Sequence, residues 1–220
     1  MGKLVTANVA TNLYWLGRNL ERTETTLYKI VKAYDEIIDV DKDAGIELYK
    51  KFDIELEYAN AKDFLHVAIQ GEHAANILDL MTNARESAII SRHRIDTEAF
   101  GEIIELHALF KDAAEDDIDY KLIDKALSLI SEIWGALSKR EHTNNAYLFF
   151  RMGKLVEEAD LRIRFNKDEA VTLSVIEEID SIVLMLQEDD ETSTQSQSQS
   201  NEEVDLLSEV NTKINKIIVE

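Results

Sequence analysis

Proline and cysteine are absent from the sequence, and glycine occurs only seven times. Without proline, and with Leu, Ile, Ala, Glu and Lys in good supply, little interrupts helix formation, so long helices are expected. Without cysteine there can be no disulfide framework, thiolate metal site or cysteine nucleophile, and a reducing cytoplasm is the expected compartment. Positive charge is scarce too: 24 basic against 44 acidic side chains leave a formal charge of −20. Such a chain repels phosphate backbones and anionic lipid surfaces. That argues against nucleic acid or a membrane as partner and for the basic face of another protein, although the same charge also serves solubility alone. No stretch reaches the roughly 20 apolar residues that span a bilayer. Near the N-terminus, Asn8, Thr11, Asn12, Arg18 and Glu21 interrupt any apolar core of a signal peptide.

Periodicity carries the positive information. Hydrophobic residues make up 45% of the chain, enough for a sizeable core, and the expected fold is an all-α multi-helix bundle. Residues 6–38 carry Leu13, Leu16, Leu20, Thr23, Leu27 and Ile30 at spacings of three and four, which predicts one long helix. A turn at 41–45 ends it, and a shorter helix is expected over 46–58. Residues 61–91 read as one helix with Gly71 as its weak point, and Asp96 as the N-cap of a helix over 97–110. Further helices are expected over 118–137, 144–165 and, as a short closing element, 169–187. The helical domain accordingly spans 1–188. An acidic Ser/Gln-rich linker follows at 189–203, and an amphipathic helix at 204–220 bears Val204, Leu207, Val210, Ile214 and Ile217. That terminal stripe cannot be buried alone, so it must dock on its own domain, on a second copy in a homo-oligomer, or on a partner.

Two of the long segments are related. Leu16-Gly17-Arg18-Asn19-Leu20-Glu21-Arg22-Thr23-Glu24 aligns with Met152-Gly153-Lys154-Leu155-Val156-Glu157-Glu158-Ala159-Asp160, sharing apolar, Gly, basic, any, apolar, Glu, any, small, acidic. Glycine inside a helix costs about 1 kcal/mol relative to alanine, so its recurrence predicts that the two helices cross near Gly17 and Gly153. Arg18, Glu21 and Arg22 share a helical face, as do Glu21 with Glu24 and Glu157 with Asp160. Carboxylates gathered at a crossing need cations, for which Arg18, Arg22, Arg151, Lys154 and the cluster of Arg85, Arg92 and Arg94 are available. Arg18, Glu21, Arg22, Arg85 and Glu86 are expected to form a buried polar network, in which Glu21→Ala would cost about 3–5 kcal/mol. The same residues, with Glu24, Arg92, Lys154, Glu157 and Asp160, are the candidates for binding an anion or a partner.

The segment LYWLGRNLERTE resembles the signature of the alpha-E proteins, a bacterial α-helical family defined by a Glu-Arg motif. Asn83-Ala84-Arg85-Glu86-Ser87-Ala88 is similar to that family's second conserved segment, and the stretch from Asn144 to Asp160 to its second Arg–Glu block. The chain departs from the pattern with Glu158 where the family has arginine, and with the Ser/Gln linker in place of a tyrosine-rich portion. The resemblance implies an accessory component of gene clusters that also encode circularly permuted ATP-grasp ligases and transglutaminase-like proteins, hence formation or processing of a small peptide or amide.

No catalytic constellation is legible beside this. A di-iron site needs two Glu-x-x-His pairs, and only Asp63 with His66, followed by His73, comes near. There is no phosphate loop, no Gly-x-Ser-x-Gly elbow and no cofactor motif, and Ser87 beside Glu86 has no neighbouring histidine. Two functions remain open. One is a non-catalytic subunit that binds an ATP-grasp-type ligase or its peptide, with the tail and its terminal Glu220 docking on that partner; the other is an enzyme acting on an amide or carboxylate through an Arg/Glu pocket.

Overall fold

A computed structural model describes residues 5–113, 118–138 and 145–190, and among these the chain forms eight α-helices, one 3₁₀ turn and no strand. Helix α1 (Ala7–Asp39) starts where Thr6, in extended conformation, accepts a hydrogen bond from the backbone of Val9 at 3.4 Å. Its apolar stripe is buried as the periodicity requires, with Leu16, Leu20, Leu27 and Ile30 at 0% exposure. Each such side chain contributes about 1.5–3 kcal/mol of burial, which is why α1 is the axis of the bundle. The remaining helices are α2 (Ala44–Lys50), α3 (Ala61–Gln70), α4 (Ile77–Ile90), α5 (Thr97–Asp112), α6 (Tyr120–Ser138), α7 (Asn145–Arg164) and α8 (Glu169–Asp190), with the 3₁₀ turn at Arg92–Arg94. Helix α1 touches α2, α3, α4, α6 and α7, while α5 joins α4 to α6 and α8 covers the outside of α7.

Three expected helices are corrected. The helix expected over 61–91 is two, because the chain leaves helical geometry at Gly71 and Asn76 recaps it. The Asn76 side chain accepts from the backbone of Asp79 at 2.8 Å and donates to the Asp79 carboxylate at 2.7 Å. The second helix ends at Lys50 instead of continuing to 58. There Asp53 adopts φ 59°, and the backbone of Ile54 bonds back to Tyr49 at 3.1 Å. Tyr58 then pins the extended segment by donating to the carbonyl of Lys42 at 2.6 Å and accepting from the backbone of Gly45 at 3.0 Å. Helix α8 is not short: it continues to Asp190, into the segment expected as linker. The rest of that linker, the helix expected over 204–220 and residues 114–117 and 139–144 lie outside the described residues.

Candidate functional site

Helices α1 and α7 run side by side in the same direction, with their two motifs facing each other. Gly17 and Gly153 make this possible. A Cβ on Gly17 would sit 2.2 Å from the carbonyl oxygen of Phe150, and one on Gly153 would sit 1.9 Å from that of Tyr14. Tyr14 and Phe150 are themselves counterparts in the repeat, so the contact is reciprocal: each glycine receives the other helix's carbonyl. Only hydrogen side chains permit backbones this close, where Cα–H···O contacts replace side-chain packing. The predicted crossing is therefore present at the two predicted glycines.

The close approach delivers the charged residues of one helix to the other with the same reciprocity. Arg18 donates through Nε to Glu157 at 2.8 Å, and its counterpart Lys154 donates through Nζ to Glu21 at 2.6 Å. Glu157 is 1% exposed and is held by two guanidiniums, since Arg22 Nε donates to its other oxygen. Arg22 continues to Asp160 at 3.4 Å, which also accepts from Arg164 at 2.9 Å. This half is an alternating chain, Arg18–Glu157–Arg22–Asp160–Arg164, in which every buried charge is compensated. Burial alone would weaken the proton affinity of Arg18, but the Glu157 carboxylate outweighs it and raises the pKa above the ordinary value.

The other half is altered by Glu158. Repeat symmetry would place a cation there to meet Glu24, as Arg22 meets Asp160. Glu158 instead turns to Arg162 on its own helix at 2.9 Å, and Glu24 accepts the indole N–H of Trp134 from α6 at 2.7 Å. The Trp134 ring also lies 3.8 Å beneath the Lys154 ammonium. Trp134 thus substitutes for the missing arginine, a role that its place in the amphipathic pattern of α6 did not signal. Glu21 keeps Lys154 and Thr25, the latter donating at 3.2 Å. Its carboxyl is nevertheless pushed above the usual range, chiefly by burial and further by Glu24 and Glu158, against the pull of Lys154.

Not every expected member belongs to this network. Arg85 and Glu86 lie on α4, where they form no ion pair with the α1–α7 network: Glu86 is exposed, and Arg85 acts electrostatically on His107 of α5. Arg85 is half-buried and Glu86 exposed, a placement that sequence proximity to an apolar stripe does not reveal. Arg92 stacks over the ring of Phe100 at 4.4 Å. Arg151 leaves the crossing for α8, donating to Glu178 at 2.6 Å and to the hydroxyl of Tyr147 at 3.1 Å. Asp63 accepts from the backbone of Ala59 at 2.6 Å, and His73 bonds the carbonyl of Val67 at 2.9 Å against the face of Tyr49. Among the described residues no three His, Asp or Glu side chains converge as metal ligands.

Just past the crossing, toward the C-terminal ends of α1 and α7, an open cavity of about 340 Å³ lies between Glu21, Thr25 and Lys29 on one side and Glu158, Leu161, Arg162 and Phe165 on the other, with Lys167 at its edge. No helix among the described residues is long and apolar enough to cross a membrane. Comparison with curated proteins and with solved structures gives no match. The sequence model of one family, Alpha-E, described as a predicted alpha-helical domain with a conserved ER motif, matches residues 5–209. Glu21-Arg22 is the ER dipeptide of the crossing just described, and with the match running over nearly the whole sequence the chain belongs to the Alpha-E family.

Proposed function

We propose that the chain is a non-catalytic helical accessory protein that binds a partner protein, an ATP-grasp-type ligase or the peptide such a ligase makes. The observation that carries this reading is the mutual saturation of the motif. Glu157 is occupied by Arg18 and Arg22, Glu21 by Lys154 and Thr25, and Glu24 by Trp134. A carboxylate bonded through both oxygens is poorly placed to take or give a proton during turnover, whereas such a network holds two helices in one register. Exposed apolar side chains on the outer face of α8, Leu173, Leu184 and Met185, and the excess of acidic charge support recognition of a protein with a basic rim. The alternative, an enzyme acting on an amide or carboxylate, is favoured by one observation: Glu21 borders the cavity with a raised pKa, as suits a general acid.

Size-exclusion chromatography of the chain mixed with an ATP-grasp-type ligase tests the first reading, which expects co-elution at fixed stoichiometry and no amide formation or hydrolysis by the chain alone. Turnover by the isolated chain that is lost in Glu21→Gln would favour the second. Absence of a complex together with absence of turnover would remove both.

A further inference from the structure

Lys29 and Lys167 both line the cavity, Lys167 at its edge, and the charge of Lys167 acts on Lys29. Neither can accept a hydrogen bond, so the interaction is a repulsion. Lys29 cannot easily swing away, because it is partly buried with its ammonium 4.6 Å from the centroid of the Phe165 ring. Lys167 is exposed, on a backbone that is itself fixed. Asn166, at φ 49°, reverses the chain at the end of α7, and the Lys167 N–H bonds the carbonyl of Arg162 at 2.8 Å.

Carboxylates outnumber cations in this chain 44 to 24, yet neither lysine forms an ion pair among the described residues. The nearby acids are committed elsewhere: Glu158 to Arg162, Glu21 to Lys154 and Thr25, and Asp168 to the backbone of Val171 at the start of α8. The Lys29 pKa is lowered, first by burial and then by Lys167 and Lys32, as befits a cation that lacks a counter-charge. Two lysines lining one cavity with the apolar side chains of Leu161 and Phe165 offer an anion site with room for a short apolar body. Glu21 and Glu158, which also line the cavity, would repel a dianion such as phosphate more strongly than a monovalent carboxylate.

We propose that Lys29 and Lys167 bind the carboxylate of a small organic acid whose apolar portion lies against Leu161 and Phe165. This site is independent of the ligase reading, since it concerns a small molecule and not a protein partner. Calorimetric titration of the full chain with sodium N-acetyl-leucinate tests it, with inorganic phosphate as the competing anion. The expected result is saturable binding, weakened at least tenfold in the Lys29→Gln/Lys167→Gln double variant, and weaker binding of phosphate. Thermal melts distinguish loss of the site from loss of the fold. Relieving the lysine repulsion should leave the ligand-free variant melting at or above the wild-type temperature, and N-acetyl-leucinate should raise the melting temperature of wild type only. Absence of saturable binding to wild type, equal binding by the double variant, or phosphate binding as tightly as the acid would each overturn the proposal. The ligase co-elution experiment reads neither outcome, so the two proposals fail separately.

Discussion

Glu157 and Glu21 occupy matching positions on the two helices, but their surroundings make their removal unequal. Glu157 is 1% exposed and compensates two guanidiniums, so Glu157→Ala would leave Arg18 and Arg22 facing each other across the crossing at a cost of about 3–5 kcal/mol. Glu21 compensates one ammonium, and Lys154 is 31% exposed and already rests on Trp134, so it can be rehydrated. Glu21→Ala should therefore cost about 1–2 kcal/mol, less than its sequence context suggested. Urea unfolding of both variants checks the order, and equal losses would contradict the asymmetry. The raised pKa of Glu21 adds a pH signature. The folded state holds this proton more tightly than the unfolded chain, so the associated stability is fully present below the ordinary value of 4.5 and is lost as pH rises through the higher folded value. Glu21→Gln abolishes that loss. Its melting temperature relative to wild type should thus increase from pH 4 toward neutrality, and a pH-independent difference would show that Glu21 titrates normally.

Among the longer helices, α1, α5, α6 and α7, the glycines separate into two kinds. Gly17 and Gly153 stand where an added Cβ would strike the backbone of the facing helix, which no side-chain rotation can relieve. Either Gly→Ala change should force α1 and α7 apart, at about 3 kcal/mol or more, and lower the melting temperature by roughly 6 °C or more. Gly101 in α5 and Gly135 in α6 have nothing within 4 Å of the added atom, so alanine there should stabilise by about 0.5–1 kcal/mol through helix propensity. Scanning calorimetry of the four single variants would show opposite signs, and a uniform response would undo the close-approach argument. What set Gly17 and Gly153 apart beforehand was their repetition in a shared motif. Some helix ends marked by a capping side chain were legible, as at Thr6 and at Asp96, whose carboxylate accepts from the backbone of Glu98 at 2.9 Å, whereas the cap at Asn76 was missed inside an unbroken apolar pattern. Ends were also missed where a loop closes by tertiary contacts. Asp53 turns because Tyr49, Phe52 and Phe165 pack there as a ring cluster, an arrangement that local periodicity does not encode.

At the scale of the whole molecule, the bundle joins a pseudo-symmetric core to a strongly acidic exterior, and the sequence disclosed the first more fully than the second. Pairing by repeat brought Arg18 to Glu157 and Lys154 to Glu21. The third-party partners, Trp134 for Glu24 and Thr25 for Glu21, depend on how α6 settles and on side-chain rotation, for which a single sequence gives no register. Glu158 is where symmetry and charge conflict. It adds a carboxylate beside Glu21 and Glu24 in a chain that already carries −20, so it weakens one half of the network both locally and through the net charge. Glu158→Arg should relieve both effects. The new guanidinium would stand opposite Glu24, as Arg22 stands opposite Asp160, and the formal charge would become less negative. Arg162 would lose a partner 27% exposed, a pair of the kind worth less than about 1 kcal/mol. The expected gain is about 0.5–1 kcal/mol at low salt. Because part of it comes from net charge, the advantage over wild type should shrink as sodium chloride rises toward 1 M, where the screening length falls to about 3 Å. Melting both proteins across that salt series decides the point: a destabilised variant at every salt concentration would mean that Trp134 already satisfies Glu24 better than an arginine can.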